Sequence, residues 1–114
     1  MAQNCFLGVS VTTGKLCWRL PVPRWDLQQC ITPVQYKDLI VIADSGEPLR
    51  AIRLEKSGQG ITAREVWKAN AHTSDGYHMS TPVLAGDWLV GFSGQKVGHL
   101  FCLDARTGQT LWQS

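Results

Sequence analysis

The phrase Thr-Gly-x-x-x-Trp occurs twice with identical spacing, at Thr13-Gly14-Lys15-Leu16-Cys17-Trp18 and at Thr107-Gly108-Gln109-Thr110-Leu111-Trp112. In each copy an apolar run precedes the Thr-Gly pair, and a short run ending in Trp follows it. That is the pattern of a β-hairpin. Gly14 and Gly108 fall where a short hairpin loop needs a residue with φ > 0, a conformation that a residue without Cβ adopts at little cost. A phrase that recurs is an architectural unit before it is an active site, so the rest of the chain reads as what lies between copies.

The intervening segments repeat as well. Thr32-Pro33-Val34 returns as Thr81-Pro82-Val83, and Asp38-Leu39-Ile40-Val41 returns as Asp87-Trp88-Leu89-Val90, each 49 residues on. Ala51-Ile52-Arg53-Leu54 aligns with Leu100-Phe101-Cys102-Leu103 at the same offset of 49. Trp67 follows Trp18 by 49 residues, whereas Trp112 follows Trp67 by 45. The shortfall places four extra residues in the middle copy, within Lys56-Ser57-Gly58-Gln59-Gly60-Ile61, which reads as a loop. Ala63 stands there in the place of the motif glycine, and the longer loop is expected to relieve the need for a tight φ > 0 turn.

Each full period holds four short strand candidates separated by turn signals. They are residues 31–36, 39–43, 49–55 and 63–69 in one copy, and 80–85, 88–93, 99–104 and 109–113 in the next. Half a copy, residues 5–11 and 15–20, stands before them. No segment sustains a 3.6-residue apolar period, so no helix is predicted. Four antiparallel strands in roughly 45 to 50 residues is the range of propeller blades. The predicted fold is therefore all-β: a fragment of a β-propeller, with about two and a half four-stranded antiparallel blades. The half blade covers residues 1–20, and the two full blades cover 21–69 and 70–114. The outer faces of the terminal blades would then be uncovered, so the chain is expected to associate with itself or to fold loosely.

Composition narrows the function. The chain of 114 residues is at most one domain, 44% hydrophobic and 18% charged, with a formal net charge of +2. Its eleven Lys and Arg are scattered from Lys15 to Arg106, which argues against nucleic acid or an anionic membrane as partner. The longest apolar stretch, Leu39 to Ala43, is strand-sized, so no membrane span is predicted. The N-terminus has no basic residue before Lys15 and lacks the form of a signal peptide. Cys5, Cys17, Cys30 and Cys102 show no C-x-x-C spacing and read as small buried apolar residues rather than metal ligands.

The segment Cys102 to Trp112, with Asp104, Thr107, Gly108 and Trp112 in place, resembles the tryptophan-docking motif of quinoprotein-like propellers, the PQQ repeat. That family includes quinoprotein alcohol dehydrogenases and, without the cofactor, BamB-like outer-membrane assembly proteins of bacteria. The resemblance implies that Trp18, Trp67 and Trp112 are blade-to-blade anchors, with Gly14 and Gly108 as the motif glycines that receive them. Gly8 and Cys102 replace the usual Ala, and Ser10 replaces the equivalent of Asp104. The resemblance implies a non-catalytic scaffold or protein-binding module with no cofactor. Its partner is then a protein, or further blades of the same ring by self-association, in the periplasm or cell envelope. The alternative is a piece of a dehydrogenase dependent on pyrroloquinoline quinone and calcium, which would need oxygen ligands around a hard cation and a catalytic Asp. No such ligand cluster stands out, and an adjacent Cys-Cys pair is absent from the sequence. Trp25-Asp26 is a WD dipeptide that does not recur with the period.

The richest polar stretch, Asn70 to Met79, connects one copy to the next, as residues 21–29 do one copy earlier. In the family such connections lie on the binding rim of the ring. Arg24, Trp25, His72, Asp75, Tyr77 and His78 are therefore the candidate rim residues, aromatic and Arg side chains being enriched at binding hot spots. The plainer reading has Trp25 and Tyr77 packing over the blade ends. His72, Asp75 and His78 are of metal-ligating types but sit on no regular element that would fix them. Asp75, His78 and Ser80 are of triad types, yet triad members come from separate elements. No catalytic residue and no metal site is assigned.

Overall fold

A computed structural model describes residues 5–21, 32–42, 48–70, 81–93 and 98–114. Among them all regular structure is β, and no helix occurs. The strands are β1 (Cys5–Val9), β2 (Leu16–Pro21), β3 (Val34–Tyr36), β4 (Leu39–Ile42), β5 (Arg50–Ser57), β6 (Gly60–Lys68), β7 (Val83–Ala85), β8 (Trp88–Ser93), β9 (His99–Asp104) and β10 (Thr110–Gln113). They form three antiparallel sheets of consecutive strands, β1–β2, β3–β4–β5–β6 and β7–β8–β9–β10. Within each sheet every strand pairs antiparallel with the next in sequence, as short strands punctuated by turn residues require.

The observed strands follow the predicted ones within a few residues, except in the middle hairpin. The expected loop at 56–61 is instead paired strand on both sides of a two-residue turn. β5 and β6 run on until Ser57 faces Gly60, and only Gly58 and Gln59 form the turn. Gly58 has φ 60, so this turn uses the left-handed conformation that the extra length was expected to make unnecessary. The third-strand alignment also differs from the offset of 49. Val41 faces Ala51 and Val90 faces Cys102, so Ala51 and Cys102 are equivalent, 51 residues apart.

Register decides which side chains share a face, because they alternate along a strand. In the second sheet the row Val34, Val41, Ala51, Trp67 crosses all four strands. It packs against the third sheet, whose Leu89, Phe101, Leu103 and Ala105 join Tyr36, Leu39, Val41, Ala51 and Trp67 in the main core. The opposite row of the second sheet includes Ile40 and Ile52, which pack with Ile42 against Phe6, Trp18 and Leu20 of the first sheet. The second sheet is thus covered on both faces, and each large side chain buried there contributes ~1.5–3 kcal/mol.

The flanking sheets are each covered on one face. Every large hydrophobic side chain found exposed among the described residues lies on one of them. On the first sheet and its turn these are Leu7, Val9, Val11 and Leu16; on the third they are Val83, Trp88, Phe92, Leu100, Leu111 and Trp112. Cys5 and Cys102 are buried, as expected for small apolar residues, whereas Cys17 is exposed, because it lies on the uncovered part of β2. Cys30 lies outside the described residues.

Candidate functional site

The best-defined constellation is the joint between the second and third sheets. Trp67, near the end of β6, is 7% exposed. Its indole N–H donates to the carbonyl oxygen of Ala105 at 3.0 Å. Its six-membered ring lies over Gly108, where an added Cβ would fall 2.3 Å from Cε3 of the ring. Gly108 also has φ 73. Glycine is therefore required there twice, by conformation and by space. Sequence spacing alone finds the first reason; only the packing shows the second.

The turn under Trp67 is held by its own side chains. The Asp104 amide donates to the Gln109 carbonyl at 2.9 Å, and the Gly108 amide donates to the Asp104 carbonyl at 2.8 Å. The Asp104 carboxylate accepts from the Arg106 amide (2.9 Å), from Nε (2.9 Å) and from Nη2 (2.6 Å). The Arg106 side-chain hydrogen bonds, then its backbone amide, hold the Asp104 carboxyl below the usual carboxylate range. The same pairing raises the Arg106 guanidinium, which stays charged throughout. Asp104 is 13% exposed at its side chain and Arg106 is 60% exposed, so the pair is a turn brace at the edge of the core.

Further polar contacts link the two sheets. The Ala105 amide donates to the Asp87 carbonyl at 2.8 Å, tying the β9–β10 turn to the β7–β8 turn. The Tyr36 hydroxyl, at the end of β3, donates to the Asp87 carboxylate. Lys37 Nζ lies 3.8 Å from the same carboxylate and 5.2 Å from the centre of the Tyr36 ring. The Thr32 amide donates to Thr81 Oγ1 at 3.1 Å, so the two copies of Thr-Pro-Val meet side by side. Sequence reasoning did not single out Tyr36 or Asp87. The available signal was their place at the tight turns, Tyr36 just before 37–38 and Asp87 within 86–87.

The other motif residues are placed differently. Trp18 is half-buried and packs against the cluster of Phe6, Ile42 and Ile52. It also lies against Gly8, its cross-strand partner, where a Cβ would come within 1.9 Å of the indole Nε1. Glycine at position 8 is thus what lets Trp18 lie flat on its own sheet. Trp112 is 48% exposed. Gly14 has φ 70, and among the described residues no heavy atom comes within 4 Å of where its Cβ would stand. The candidate rim residues Arg24, Trp25, His72, Asp75, Tyr77 and His78 lie outside the described residues, as does Ser80.

An apolar cleft of about 230 Å³ lies where the first and second sheets meet, lined by Phe6, Leu7, Trp18, Pro33, Ile40 and Ile42. A shallower polar hollow runs beside the Trp67 joint, between residues 68–70 and 107–110. Among the described residues no three His, Cys, Asp or Glu side chains gather in a metal-binding group. No helix there is long and apolar enough to cross a membrane. No protein-family model matches the chain, and no curated protein sequence matches it significantly.

Proposed function

We propose that this chain is a non-catalytic β-propeller repeat scaffold of the quinoprotein-like type, a protein-binding module comparable to BamB-like assembly proteins. One observation carries the reading. One of the recurring tryptophans and one of the recurring glycines join one four-stranded sheet to the next, with Trp67 seated on Gly108 and bonded to Ala105. A residue pattern that serves stacking fits a protein whose product is a shaped surface. The propeller comparison is supported by the four consecutive antiparallel strands in each complete sheet and by the face-to-face order of successive sheets.

The test is titration of the purified chain with pyrroloquinoline quinone in the presence of calcium, followed by absorbance of the quinone. The expected result is no saturable spectral change. A saturable change with a defined stoichiometry would overturn the scaffold reading in favour of a dehydrogenase piece.

A further inference from the structure

The joint at Trp67 has two halves, a tryptophan and a glycine turn, and each half occurs once more without its complement. The turn at Gly14 repeats three hydrogen bonds of the turn at Gly108. The Ser10 amide donates to the Lys15 carbonyl at 2.9 Å, as Asp104 does to Gln109. The Gly14 amide donates to the Ser10 carbonyl at 2.8 Å, as Gly108 does to Asp104. The Lys15 amide donates to Thr13 Oγ1 at 3.3 Å, as Gln109 does to Thr107 Oγ1. Gly14 and Gly108 share the same left-handed conformation, φ 70 and 73. The seat is therefore built, yet the indole that fills it at Gly108 has no counterpart at Gly14 among the described residues.

The complementary half is Trp112. Trp112 faces Cys102 across its hairpin as Trp67 faces Ala51, so the two indoles occupy equivalent places. Trp67 is 7% exposed, whereas Trp112 is 48% exposed. We infer that Trp112 of one copy docks on the Gly14 turn of a second copy of this chain, joining copies head to tail. The indole N–H of Trp112 then donates to the carbonyl oxygen of Val11, the residue that stands where Ala105 stands in the internal joint. This inference rests on the repeat-scaffold reading, because it extends the stacking of sheets from within one chain to between chains.

The surfaces around the two halves match in the same way. Gly8 faces Trp18 as Cys102 faces Trp112, so Leu7 and Val9 occupy the places of Phe101 and Leu103. Phe101 and Leu103 are 1% and 0% exposed because the second sheet covers them, whereas Leu7 and Val9 are 36% and 56% exposed. On the third sheet, Val83, Val90, Cys102 and Trp112 form the row equivalent to Val34, Val41, Ala51 and Trp67, and that second row is the one the third sheet covers. A contact between two different faces is heterologous, so it closes as a ring or grows, according to the angle between copies.

Sedimentation velocity of the full chain over a concentration series tests this, with two variants. Trp112→Ala removes the indole. Gly14→Asn keeps a residue that tolerates φ near +70 but carries a side chain into the seat. The wild-type mass is expected to rise with concentration. Each variant should weaken association about thirtyfold or more, the loss expected for a central aromatic anchor, while keeping the wild-type far-UV spectrum. An equimolar mixture of the two variants should form a two-chain species and nothing larger, since one retains the seat and the other retains the indole. The inference is overturned if the wild-type chain stays monomeric, if the variants associate as it does, or if the mixture behaves as the variants do alone. Hydrogen exchange at the Gly108 amide distinguishes the two failures. Protection there in a monomeric wild type leaves the repeat-scaffold reading standing, and its absence removes both.

Discussion

Gly14 and Gly108 share three turn hydrogen bonds and nearly the same φ, and differ in what lies above them and in the Asp104–Arg106 brace that the Gly108 turn carries. An alanine at either position pays the left-handed conformation, ~1–2 kcal/mol. At Gly108 the new Cβ also falls 2.3 Å from the Trp67 ring, and overpacking of that kind adds ~1–3 kcal/mol. Gly108→Ala should therefore lower stability clearly more than Gly14→Ala, measured by urea unfolding at a concentration low enough for monomers. Equal losses would mean that the indole moves aside freely. Asp104 sets a second residue-scale expectation. Its carboxyl is held down by the Arg106 side chain and amide, so its folded value lies below the ordinary ~3.9 of the unfolded chain. The stabilisation is full above the unfolded value and is lost as pH falls through the folded one. The difference in Tm between wild type and Asp104→Asn should be constant above about pH 5 and should close progressively below about pH 4. A difference that stays open at pH 2 would show that the Arg106 contacts do not depend on the charge.

At the scale of the element, the sequence was most legible where turn chemistry and apolar alternation agree. β8 and β9 begin and end where the pattern predicts, at Trp88–Ser93 and His99–Asp104. The middle hairpin was less legible for a physical reason. Ile52-x-Leu54 and Phe101-x-Leu103 are both apolar alternations, and a slip of two residues leaves every side chain on its original face. An alignment by apolar pattern therefore accepts an offset of 49, whereas backbone pairing sets it at 51. Added to the four extra residues that the apolar pattern shows, these two make the hairpin closed by Ala51 and Trp67 six residues longer than those closed by Cys102 and Trp112 or by Gly8 and Trp18. Those residues extend paired strand, because Glu55, Thr62 and Arg64 satisfy one another across it. Arg64 Nε lies 2.7 Å from Glu55 Oε1, and Thr62 Oγ1 lies 3.5 Å from the Glu55 carbonyl. Polar composition at 56–61 resembles a loop, but a two-residue turn at Gly58-Gln59 is enough to reverse the chain. Of the candidate site, the positions of Trp67 and Gly108 could be read from spacing. The acceptor at Ala105 and the link from Tyr36 to Asp87 could not, because both depend on which sheet lies beside which.

At the largest scale the decisive fact is that, among the described strands, contacts between sheets run only between neighbours. Among the described residues β2 meets β6 and β3 meets β7, while the first and third sheets do not touch. Stability then divides into two interfaces, as in other repeat arrays, and each should open without the other. Phe6 is 4% exposed in the first interface, and Trp67 is 7% exposed in the second. Replacing either by Ala costs ~3–5 kcal/mol, enough to open its own interface in a marginally stable domain. Hydrogen exchange read by mass spectrometry should therefore give two different maps. Trp67→Ala should speed exchange across β7 to β10, the turn amides of Gly108 and Gln109 included, and leave β1 and β2 little changed. Phe6→Ala should do the reverse, releasing β1 and β2 while the third sheet keeps its protection. The second sheet, covered on both faces, should be the slowest to exchange in both variants. Uniform acceleration in either variant would show a single cooperative unit, and with it that the sheets do not act as separable repeats.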